Sequence, residues 1–75
     1  MDTNSKMHHV SCSFKGKQSG DESFFISIEP QEAIPGLPTK CIIGLSLRNP
    51  KSRKQAELVE KFLDDNLAGI SITTW

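Results

Sequence analysis

The chain has 75 residues, of which 36% are hydrophobic and 24% charged, and its nine basic residues are balanced by nine acidic ones. A chain of this length makes one small domain with a thin core, because it removes only about 60% of its unfolded surface from water. Balanced charge gives no bulk attraction to nucleic acid or membrane, and no apolar run approaches the roughly 20 residues that a spanning helix needs.

Residues 1–6, MDTNSK, are polar and read as a disordered tail ahead of a single domain over 7–75. The opening MDTNSKMHH has no apolar core of a secretory signal, so a cytoplasmic location is the expectation. In HHVSCSF the residues Val10, Cys12 and Phe14 alternate with His9, Ser11 and Ser13, the period of a half-buried strand. The polar run KGKQSGD, with Gly16 and Gly20, predicts a turn that closes a hairpin onto ESFFISIEP. There Phe24, Ile26 and Ile28 share one face, opposite Phe25, Ser27 and Glu29.

Pro30, Pro35, Gly36 and Pro38 make PQEAIPGLPTK a loop, with Ile34 and Leu37 placed to tuck against one end of the core. KCIIGLSLR predicts a third strand with Cys41, Ile43, Leu45 and Leu47 on its inner face. Cys12 and Cys41 therefore read as reduced core residues rather than a disulfide framework. A metal site from His8, His9 and Cys12 lacks a fourth ligand, and no metal or cofactor is expected.

A helix follows, with Asn49 as N-cap and Pro50 as its first residue. Ser52, Ala56, Val59, Phe62, Leu63, Asn66 and Leu67 fall on one side at helical spacing and form its expected core face. Gly69 ends the helix, and ISITTW makes a last strand with Ile70 and Ile72 inward. The order β-β-β-α-β gives an α+β fold: a two-layer sandwich in which a small, mostly antiparallel sheet carries one helix on one face. Strand four is expected parallel to strand three through a right-handed crossover.

The helix charges run against its macrodipole. Arg48, Lys51, Arg53 and Lys54 crowd its start and Asp64 and Asp65 its end, whereas a helix favours acids first and bases last. One reading is a solvated face, partly offset by a Glu57–Lys61 pair. The other is an anion site at Arg48, Lys51, Arg53 and Lys54 for nucleic acid, either RNA or single-stranded DNA. The run SRKQAE, Ser52 to Glu57, resembles the basic start of the second helix in double-stranded-RNA-binding domains. That resemblance covers six residues and implies phosphate contacts from Arg53 and Lys54, with Glu57 standing where the family pattern has a further lysine.

On the outward sheet face the small polar residues are interrupted by Phe25, Ile42 and Trp75, with Arg48 beside them. Apolar residues edged by a base suit a protein partner, and an uncovered edge strand suits self-association into a homodimer. Nothing in the sequence assembles a nucleophile, base and orienting group, since the only histidines adjoin the tail. The expectation is a small non-catalytic binding or regulatory module that contacts protein through the open sheet face, with nucleic-acid binding at the helix start as the alternative.

Overall fold

The computed structural model describes residues 6–34, 36–38 and 41–74. The elements come in the expected order: β1 (Lys6–Gln18), β2 (Phe24–Pro30), β3 (Ile43–Ser46), α1 (Arg53–Asn66) and β4 (Gly69–Thr74). They form one four-stranded antiparallel sheet, ordered β3-β2-β1-β4, with the helix on one face. Lys6, expected in the tail, already belongs to β1, and residues 1–5 lie outside the described residues.

Period-two alternation sets the core. Val10, Cys12 and Phe14 of β1 and Ile26 and Ile28 of β2 are buried as one cluster, with Ile34, Ile43, Val59, Leu63 and Ile70 packed around it. Ala56 is the buried residue of the helix.

β1 is longer than expected because Lys15–Gln18 continue the strand instead of turning; the turn is Ser19–Ser23. Ser19 and Ser23 close it through the Ser19 N–H and the Ser23 carbonyl at 2.8 Å, and Glu22 adopts the left-handed region at φ 68°. Asp21 holds the turn together. Its carboxylate accepts from the Ser19 hydroxyl and from the Ser23 N–H, the latter at 3.0 Å. Those bonds, the Ser19 hydroxyl foremost, with help from the nearby Lys51 ammonium, lower its pKa from 3.8 to about 2. The stabilisation it provides is therefore complete above pH 3.8 and is lost as pH falls towards 2. An NMR pH titration of the side-chain carboxyl should find Asp21 still ionised near pH 3, and Asp21→Asn should flatten the acid limb of the stability curve in that window.

Three sequence expectations fail at the helix ends and at β4. First, the N-cap is Ser52, not Asn49: its hydroxyl accepts from the Gln55 N–H at 3.1 Å, while the Gln55 side chain reaches back to accept from the Asn49 N–H at 3.1 Å. Together the two side chains satisfy two backbone donors, those of Gln55 and Asn49, and Asn49–Ser52 is left as a turn closed by the Ser52 N–H on Asn49 O. The Pro50 carbonyl then accepts from the Phe24 N–H and ties the turn to β2. Second, the C-cap is Leu67, whose N–H donates to Leu63 O, and Gly69 is already in strand. Third, β4 is not parallel to β3. It lies at the opposite edge, antiparallel to β1, and so runs against β3.

The reason lies along β1. Its residues Cys12–Gln18 pair with β2 and its residues Lys6–Ser11 pair with β4, so β4 takes up the edge of β1 where the helix ends. The helix guards the remaining edge. The Cys12 N–H donates to Ala68 O at 3.0 Å and the Phe14 N–H donates to the Asp64 carboxylate at 2.9 Å. The helix thus descends along β1 and hands the chain directly to the free edge below it, with no return towards β3. Asp64→Ala should strand the Phe14 N–H and cost about 1–3 kcal/mol, whereas Asp64→Asn keeps an acceptor and should cost less. Thermal melts of both variants, with amide exchange at Phe14, check this.

Candidate functional site

Four surfaces could carry a function. On the outward sheet face Phe25 is half-buried, and its ring lies close over Gly44: a Cβ built on that glycine would sit 3.1 Å from Phe25 Cδ2. Lys17 and Glu29 pair at 2.7 Å, joining positions on either side of the Lys15–Ser27 pair, and Ser27 between them is only 2% exposed. Ile42 and Arg48 are both exposed but flank β3 at its two ends, about 20 Å apart by strand rise. Trp75 lies outside the described residues. Phe25 pairs with Ser46 at the end of β3, and Arg48 follows two residues beyond that strand, at the end opposite Ile42.

At the helix start the bases are unequally free. Lys51 donates to the Asp21 carbonyl at 2.8 Å, and the Arg53 guanidinium sits over the Phe24 ring, 5.8 Å from its centroid. Arg48 and Lys54 are exposed and make no salt bridge among the described residues. The first-turn N–H of Gln55 is already used by Ser52.

Under the proline-rich loop is a cleft of about 380 Å³ lined by Ile28, Ile34, Leu37, Cys41 and Ile43. Cys41, expected in the core, is exposed, because β3 begins two residues later; its thiol donates to Pro38 O at 3.1 Å. Leu37 is also exposed, so Ile34 alone of the expected pair packs on the core. Among the described residues no cluster of three or more histidine, cysteine or acidic side chains could hold a metal.

The fourth surface is on the helix. Of its expected core face, Ala56, Val59 and Leu63 point inward, but Phe62 is 63% exposed, and Asn66 and Leu67 are exposed as well. The stripe is wider than the sheet beneath it: the helix packs on β1 and β2 and leaves β3 uncovered, with Leu45 40% exposed. Leu58, which sequence reasoning passed over, is 61% exposed and lies four residues before Phe62, on the same ridge. That i, i+4 spacing was the available signal. The Glu57–Lys61 pair does not form; Lys61 binds Asp65 instead, at 3.0 Å.

Comparison with family models, curated proteins and solved structures gave no match for this chain. No helix among the described residues is long and apolar enough to cross a membrane.

Proposed function

We propose that this protein is a small, non-catalytic, cytoplasmic binding module that contacts another protein through the outer ridge of α1, Leu58 and Phe62. The observation that supports this reading is two large apolar side chains, each more than 60% exposed, adjacent on a regular helix in a domain where six hydrophobic residues are buried among the described residues. Exposed apolar neighbours on a rigid element are how helix-mediated contacts are made. Phe25 on the outward sheet face, with Arg48 in the bend after β3, is a secondary candidate, weakened by the packing of Phe25 on Gly44.

The test is site-specific photo-crosslinking in cell extract, with a photoreactive residue at position 58, at position 25 or at position 54. Protein adducts from position 58 support the reading. Protein adducts from position 25 alone would return the contact to the sheet face. Nuclease-sensitive adducts confined to position 54 would overturn the reading in favour of nucleic acid.

A further inference from the structure

Lys54, Leu58, Phe62 and Asp65 follow one another on the helix at spacings of four, four and three residues, so they form a single ridge: base, two apolar residues, acid. Leu58 and Phe62 are mostly exposed. Of the other charges that oppose the macrodipole, three have local uses: Lys51 on Asp21, Arg53 over Phe24 and Asp64 on the Phe14 N–H; Arg48 lies ahead of the helix, outside the ridge. Lys54 has no ion-pair partner among the described residues, and Asp65 has only Lys61 of its own helix.

We infer that the occupant of this ridge is a second copy of the same chain, its helix antiparallel to the first across a two-fold axis. This inference rests on the reading of the ridge as a protein-contact surface. With the axis at the midpoint of Leu58 and Phe62, each Leu58 faces the other copy's Phe62. Lys54 lies six residues to one side of that point and Asp65 five residues to the other, so in the antiparallel pair they come level to within about 1.5 Å. Each base then meets the partner's acid, twice per dimer. Lys54, unfavourable beside its own helix N-terminus, sits beside the negative C-terminal end of the partner's helix. A parallel pair would set base against base and acid against acid. Two helices of 14 residues meet along only about 21 Å, which makes a small contact and a weak dimer in the micromolar range or above.

The experiment is sedimentation velocity on the purified full chain from micromolar to millimolar concentration, with the charge variants Lys54→Glu and Asp65→Lys measured alone and mixed. Alone, each variant sets like charges opposite each other at both ends of the ridge, and its self-association should weaken about tenfold. Mixed in equal amounts, the two restore opposite charges at both ends, and a heterodimer should form with the affinity of the parent chain. Leu58→Ser with Phe62→Ser should give a monomer with an unchanged circular dichroism spectrum. Variants that self-associate like the parent, or a mixture no tighter than its components, would overturn the antiparallel pairing. A parent chain that stays monomeric at millimolar concentration would overturn self-pairing altogether. Heterologous adducts from position 58 would then leave the contact surface standing, and their absence would remove both.

Discussion

Phe14→Ala is expected to bring the domain to the edge of unfolding at room temperature. Phe14 is the largest side chain of the core and is 2% exposed, between Ile26 and Ile28 of β2 and the helix. Truncating a buried phenylalanine costs about 3–5 kcal/mol in lost transfer energy and residual cavity. A domain of this size has a total stability on the order of 4–11 kcal/mol, from roughly 0.05–0.15 kcal/mol per residue. No second core can compensate. A urea titration followed by circular dichroism should show the midpoint collapse towards zero denaturant. Phe14→Leu, which leaves a smaller cavity, should retain a measurable transition. A midpoint within a few tenths molar of the parent for Phe14→Ala would mean that this side chain does not anchor the core.

Gly69→Ala is the second large effect, from a single added carbon. A Cβ at Gly69 would collide with Val10 O and lie 2.9 Å from Ser11 Cα, both rigid backbone atoms of the paired strand. Nothing flexible can yield. Either β1 and β4 separate or the register shifts, and a shift of one residue would turn Ile70 and Ile72 away from the core. The expected loss is about 2–3 kcal/mol, at the upper end of ordinary overpacking. Gly20→Ala is the control, since nothing lies within 4 Å of its Cβ position; it should be neutral or slightly stabilising. Chemical denaturation of the pair, with amide exchange along β4, distinguishes local detachment from global loss.

The sequence exposed the centre of this fold well and its margins poorly. Val10, Cys12 and Phe14, and Ile26 and Ile28, are buried as their alternation required, because period two leaves a half-buried strand no other face to offer. The helix start misled for a local reason: Asn49-Pro50 is a good cap and first residue, but Ser52 with Gln55 three residues later is a better one. Gly69 was read as a helix stop, although its need arises from a strand that only the tertiary fold brings near. β4 could not be placed because strand pairing depends on which edge the helix leaves free. Of the candidate sites, Phe25 lies half-buried in β2, while Arg48 is exposed in the bend that follows β3. The Leu58–Phe62 ridge was missed because apolar periodicity marks a stripe on a helix but not how much of that stripe the sheet can cover.

The split partnership of β1 also orders events in time. Its upper half meets β2 across a five-residue turn, a closure of small entropy that can occur within microseconds. Its lower half meets β4 only after nearly the whole chain has been traversed, Lys6 finding Thr74. Pairings so distant along the chain slow folding. The pairing of Lys6–Ser11 with β4 is therefore the contact expected to form later than the hairpin. The Ala68 carbonyl, bonded to the Cys12 N–H, marks the junction between the early pairing and the late one.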